Sequence, residues 1–200
     1  MSLETNNNQN SSFSQTPLKE VGLFFWDLLK ILAVALAIVI PFRLLVAEPF
    51  VVSGSSMLPN YHNNDYLIID RITYLRQQPQ RGDVVVLKFP KDTSQFFIKR
   101  IIGLPGEKIQ IRQGHVVIYN SEHPEGKILE ESYLPSQVET LGRTEPVQLG
   151  SAEYFVLGDN RQFSLDSRYF GPIYDFQING VEVFRTSNES LSNIIFNAIN

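Results

Sequence analysis

Residues 95–103 read QFFIKRIIG, an apolar run interrupted by two adjacent cations. In a β-strand successive side chains point to opposite faces. Phe97, Lys99 and Ile101 then share one face, and Phe96, Ile98, Arg100 and Ile102 the other. Each face carries one cation among apolar groups, so at least one cation is expected to lie against a core. Arginine keeps its proton in a protein, whereas lysine can give it up when desolvated. An unperturbed lysine is neutral in only about 4 of 10,000 molecules at pH 7. Lowering its pKa by about 3 units makes the free amine common and costs roughly 4 kcal/mol. The competing reading is that both cations snorkel past the sheet edge into water.

The neighbouring segments also read as strands. YLIIDRITY (66–74), DVVVLKF (83–89), KIQIR (108–112), HVVIY (115–119), YFVLGD (154–159) and GVEVFR (180–185) are short and rich in Val, Ile, Phe and Tyr. Turn signals stand between most of them, among them Arg81-Gly82-Asp83 and Leu104-Pro105-Gly106. The pattern predicts a mainly β, antiparallel domain over residues 48–200, with 108–155 as a smaller insert. Leu191, Ile194, Ile195 and Ile199 have helical spacing and are expected to form a docked helix.

Upstream the composition changes twice. Residues 1–19 are almost wholly polar and read as a disordered tail. Residues 20–47 read as a membrane anchor. The uncharged run from Ile31 to Phe42 covers only about 18 Å as a helix, but from Val21 to Val46 the helix is about 39 Å long, enough to cross a bilayer. Lys30 and Arg43 can reach toward the headgroups, Trp26 suits an interface, and Asp27 can pair with Lys30. A buried core helix and a cleaved leader ending near Ala47 are the alternatives. Lys19 and Lys30 precede the run, and after Arg43 no Lys or Arg appears until Arg71, a bias that places the N-terminus in the cytoplasm and the body outside.

With 43% hydrophobic residues and 14 phenylalanines there is ample material for a core. The net charge of −4 and the lack of a basic cluster argue against nucleic acid as a partner. There are no cysteines, and the three histidines are scattered, so no metal site is expected.

Two further segments carry chemistry. VVSGSSMLPNYHNND (51–65) holds Ser53, Ser55 and Ser56. It is either a surface loop or the seat of a nucleophile, which needs a base. His62 is close in sequence but sits on an Asn-rich stretch that reads as a turn. That leaves lysine. VLGDNRQFSLDSRYFG (156–171) concentrates Asp159, Arg161, Ser164, Asp166 and Arg168. Its two Asp-x-Arg units can pair internally, as in an ordinary salt-bridged loop, or a hydroxyl such as Ser164 can orient a reactive amine.

Taken together, EPFVVSGSSMLPN (48–60), YLIIDR (66–71), RGDVVVLKFP (81–90), FFIKRIIGLPGE (96–107) and GDNRQFSLDSRYFG (158–171) resemble bacterial type I signal peptidase, a membrane-anchored Ser-Lys protease that removes leader peptides from exported proteins. The resemblance implies that Ser56, before Met57-Leu58-Pro59, is the nucleophile and Lys99 the general base. It implies that Ser164 orients the lysine, with Asp166 and Arg168 as a supporting pair and Arg100 structural. Phe50, Val52, Met57, Phe97 and Ile98 match positions lining shallow apolar pockets for small residues, commonly Ala, one and three before the cut. The expected partners are signal peptides of preproteins and the lipid bilayer, and no cofactor or metal is implied. This chain departs from the family at Gly54, where some members place an oxyanion-binding serine. It departs again at Asn60, where Thr is commoner, and at Gln162-Phe163, which replace a polar Asp-Asn pair. The rival readings are a self-cleaving Ser-Lys peptidase of related fold and an inert, single-pass β-rich binding module.

Overall fold

The computed structural model describes residues 17–45, 47–70, 77–142 and 145–187. Residues 1–16 of the polar tail and the helix expected over 191–199 lie outside the described residues. Two units separate at Phe42/Arg43.

The first unit is a helix, α1 (Pro17–Leu45). It starts with proline, whose fixed φ and missing N–H suit the first helical position. Its window Glu20–Ile40 has a mean hydropathy of 2.4, and none of it is buried. That does not suit a core helix. It is long and apolar enough to cross a membrane. Lys30 pairs with Asp27 at 3.0 Å, as the spacing predicts, and its ammonium also lies over the Trp26 ring.

In the second unit, seven strands form one antiparallel sheet. They are β1 (Ala47–Val51), β2 (Tyr66–Asp70), β3 (Val84–Phe89), β4 (Asp92–Gly103), β9 (Glu153–Leu157), β10 (Ile173–Tyr174) and β11 (Ile178–Thr186), in the order β1-β2-β11-β3-β4-β9-β10. A second sheet, β7-β6-β5-β8, contains β5 (Lys108–Arg112), β6 (His115–Tyr119), β7 (Lys127–Ile128) and β8 (Val147–Gln148). The sheet formed by residues 108–148 is thus separate, whereas Glu153 onward returns to pair with β4. Of the stretch 66–74, Tyr66–Asp70 forms β2, and residues 71–76 lie outside the described set. A four-residue helix, α2 (Ser167–Phe170), follows the polar loop.

The period-2 pattern sorts side chains into three packed groups. Val84 and Val86 join Leu67, Ile69, Met57 and Val52 on one face of β3. Val85 and Leu87 join Ile101, Tyr154 and Val156 on the other. Ile102, Phe155 and Leu157 pack with Ile109, Val116 and Ile118 of the second sheet. A strand such as VVVL, buried on both faces, therefore reads as a continuous apolar run, without alternation. Each fully buried Val, Leu or Ile here contributes about 1.5–3 kcal/mol of transfer free energy.

The register of β11 against β2 depends on a glycine. Gly180 has φ of +156°, and a Cβ placed there would lie 2.6 Å from the backbone oxygen of Asp70. The register of β11 against β3 also shifts between Ile178 and Gly180. Gly180→Ala is expected to cost about 1–3 kcal/mol, seen as a lower melting temperature in detergent. An unchanged melting temperature would refute the close approach of the two strands.

Candidate active site

β4 carries the pair of cations, and the fold treats them differently. Arg100 faces the polar loop. Its guanidinium donates to both oxygens of Asp159 at 2.8 and 2.6 Å, donates to the Gly82 carbonyl at 2.8 Å, and stacks on the Tyr133 ring at 4.0 Å. Lys99 points the other way and is 2% exposed. Its Nζ lies 2.8 Å from Ser56 Oγ and donates to the Ile98 carbonyl at 2.8 Å. It forms no ion pair among the described residues. The sheet thus holds both cations against protein, with neither snorkelling freely into water.

Burial pushes the Lys99 amine down to about 8, and the charges of Asp166 and Asp159 oppose the shift without cancelling it. Both carboxylates are already engaged, Asp159 with Arg100 and Asp166 with Arg168.

Ser56 reaches the lysine because the loop from Val52 to Asp65 is folded back on itself. The Val52 N–H donates to Asp65 O, the Asn64 N–H donates to Val52 O, and the Gly54 N–H donates to the Asn63 side chain. Gly54 has φ of +100°, a left-handed conformation that favours glycine. Met57 sits in the core at 1% exposure, where its Sδ accepts a hydrogen bond from the Asp159 N–H at 3.4 Å. Ser53 and Ser55 are exposed, and only Ser56 of the three bonds to Lys99. His62 is exposed on a turn, where its N–H donates to the Asp65 carboxylate. The backbone N–H of Ser56 has no hydrogen-bond acceptor among the described residues.

The polar loop packs onto this serine from behind. The Asn160 N–H donates to Ser56 O at 3.0 Å, and the Asn160 side chain donates to Ser55 O. At Gly158 there is no room for a side chain, since a Cβ would lie 2.1 Å from Ser164 Oγ and 2.4 Å from Ser56 O. The Ser164 hydroxyl is buried and has no hydrogen-bond partner among the described residues. In particular, the bond to Lys99 that a lysine-orienting role implies is not formed here. Asp166 caps α2 and receives both arms of Arg168 at 2.8 and 2.7 Å, as well as the Gly158 N–H.

Beside Ser56 runs a groove of about 340 Å³, lined by Phe50, Val52, Phe97 and Ile98 among others. Four of the five substrate-pocket residues expected from the resemblance therefore meet here. Met57 does not line the groove, because its side chain points into the core, under the Asp159 backbone.

Sequence reasoning missed the partners that hold the loop. Arg161 does not pair with Asp159; its guanidinium bonds the Glu131 carboxylate, Thr140 and the Gly158 carbonyl. Asn60 donates to Asp159 at 2.7 Å and to the Tyr133 carbonyl at 2.8 Å. The Asn60 departure from the family was a signal. Glu131 and Tyr133 lie in an irregular stretch with none.

Residues 25–187 match the family described as signal peptidase, peptidase S26. The chain is 39% identical over 150 residues to a probable signal peptidase I-2 of Synechocystis, a match covering 72% of this chain and 65% of that relative. It is 32% identical over 181 residues to a signal peptidase I of Bacillus amyloliquefaciens, covering 86% of this chain and 90% of the relative. A crystal structure of a signal peptidase I from Enterococcus faecalis is 30% identical and covers 52% of this chain and 97% of that chain, at a TM-score of 0.43. The chain belongs to the signal peptidase family, peptidase S26.

The lowered pKa of Lys99 is also a statement about stability. The unfolded chain holds the lysine proton up to about pH 10.5, the folded one only to about 8, so below pH 8 the burial of Lys99 opposes folding. The penalty is relieved as pH rises from about 8 to 10.5. Lys99→Met is expected to stabilise the fold at pH 7 by about 1–3 kcal/mol, with the gain vanishing near pH 10.5. Thermal unfolding in detergent at the two pH values checks this, and a destabilised variant at pH 7 would overturn it.

Proposed function

We propose that this protein is a membrane-anchored serine endopeptidase that removes signal peptides from exported preproteins, with Ser56 as nucleophile and Lys99 as general base. One observation carries the reading: a desolvated amine, 2% exposed and without an ion pair among the described residues, lies 2.8 Å from a serine hydroxyl at the edge of an apolar groove. That distance is within the reach a general base needs.

Neutral Lys99 takes the proton from Ser56 Oγ as the oxygen attacks the scissile carbonyl. The oxyanion is held by the Ser56 N–H, which has no acceptor among the described residues. Collapse of the tetrahedral intermediate breaks the C–N bond, and the lysine ammonium gives its proton to the leaving amine. The acyl-enzyme is then hydrolysed by water whose proton the same amine accepts. Ser164 supplies a hydroxyl that orients Lys99 when substrate is bound. The Asp166–Arg168 pair fixes the start of α2 beside it. Phe50, Val52, Phe97 and Ile98 form shallow pockets that accept small side chains one and three before the cut. The preprotein's backbone binds extended along the exposed strand edge. Helix α1 crosses the cell membrane with the N-terminus cytoplasmic and the catalytic unit outside, following the placement of Lys19 and Lys30 before the apolar run.

The test is mass spectrometry of a signal-bearing preprotein incubated with the purified protein in detergent. A single cut after an Ala-x-Ala-type site, abolished by Ser56→Ala, is the expected result. Equal cutting by the variant would remove Ser56 from the mechanism, and no cutting by either protein would point first to a different substrate and second to the inert module.

The amine titrates near 8, and its neutral form is the base. The rate of cleavage at low substrate should therefore fall about tenfold per pH unit below 8 and level off above it. A profile flat from pH 6 to 10 would rule out a lysine base.

A further inference from the structure

The family's polar pair at 162–163 is Gln162-Phe163 in this chain, and the structure gives that change a place. From Phe163 to Asp166 the loop alternates between exposed and buried side chains. Ser164 and Asp166 are buried beneath it, while Phe163 is 72% exposed and Leu165 is 47% exposed. Both outward side chains line the groove beside Ser56. Neither belongs to a core cluster, and the loop under them is fixed by the Asp166–Arg168 pair and by the Phe163 N–H, which donates to Asn160 O at 3.1 Å. An apolar rim is thus held rigidly over an open groove.

An extended peptide sends successive side chains to opposite sides. With the residues one and three before the cut in the pockets formed by Phe50, Val52, Phe97 and Ile98, the residue between them points away from that floor. Besides those four, the apolar lining comprises Val51, Leu67, Val86 and Phe96 on the strands, and Phe163 and Leu165, which are the apolar lining that the polar loop supplies. We propose that this rim reads the second residue before the cut, favouring an apolar side chain and rejecting a charged one. An apolar side chain covers exposed Phe163 and Leu165 surface, whereas a charge there is desolvated without a partner. The inference rests on the peptidase reading above and specifies its substrate selection.

The experiment uses the whole chain in detergent and preproteins that keep Ala one and three before the cut and differ only between them (Leu, Ala, Asp or Lys), with one control preprotein that carries Leu immediately before the cut. The expected kcat/KM is about tenfold higher for Leu than for Asp or Lys. In Phe163→Asn that ratio is expected to fall toward one, while the preference for Ala over Leu immediately before the cut keeps its value. Equal cleavage of Leu and Asp substrates by the unmodified protein overturns the proposal. So does a ratio that survives Phe163→Asn; if that variant instead loses affinity for phospholipid vesicles, the rim faces lipid. Cleavage of none of the substrates removes the peptidase reading itself, which is a different failure from indifference at this one position.

Discussion

The site depends on a lysine that is buried without being neutralised. Two carboxylates, Asp159 and Asp166, are close enough to pull its pKa upward, and yet burial prevails. The reason is that each carboxylate already holds an arginine: Arg100 grips Asp159 and Arg168 grips Asp166, both with two-pronged contacts. Arginine matches a carboxylate in geometry and does not release its proton. Lys99 is left with neutral acceptors, the Ser56 hydroxyl and the Ile98 carbonyl. Neighbouring positions on one strand thus have opposite electrostatic tasks. Arg100 satisfies the loop's negative charge so that Lys99 is not stabilised as an ammonium ion.

That division was half legible in the sequence. Alternation along QFFIKRIIG was enough to send the two cations to opposite faces, because the period of a strand is fixed by its geometry. The two Asp-x-Arg units suggested two local pairs, and only Asp166–Arg168 forms. Asp159 goes to Arg100 because β4 and β9 are antiparallel neighbours with Arg100 opposite Leu157. Asp159, two residues past the end of β9, therefore lands beside Arg100. Strand register is a long-range property, and a motif of three residues contains no information about it. Met57, which the family resemblance implied as a pocket residue, instead packs in the core, because the turn after Ser56 directs it there.

The 120–150 stretch is irregular in sequence and carries no motif, and two of its residues, Glu131 and Tyr133, contribute the rest of the support. Glu131 neutralises Arg161, Tyr133 stacks on Arg100, and the Tyr133 carbonyl receives Asn60. These contacts tie the polar loop, through Arg161 and through the Arg100–Asp159–Asn60 contacts, to Glu131 and Tyr133. Buried charges of this kind are costly when one partner is missing, by about 3–5 kcal/mol, far more than an exposed pair contributes. The loop consequently has few ways to rearrange without leaving a charge unpaired. This fixes Gly158 against the Ser56 carbonyl, where no side chain fits, and it fixes the backbone that presents Ser164. A reactive amine in a shallow, open groove needs such stiffness from outside the groove, because the groove itself has too few walls to provide it. Glu131 and Tyr133, in the irregular stretch between β7 and β8, thus support the site mechanically, although neither lines the groove beside Ser56.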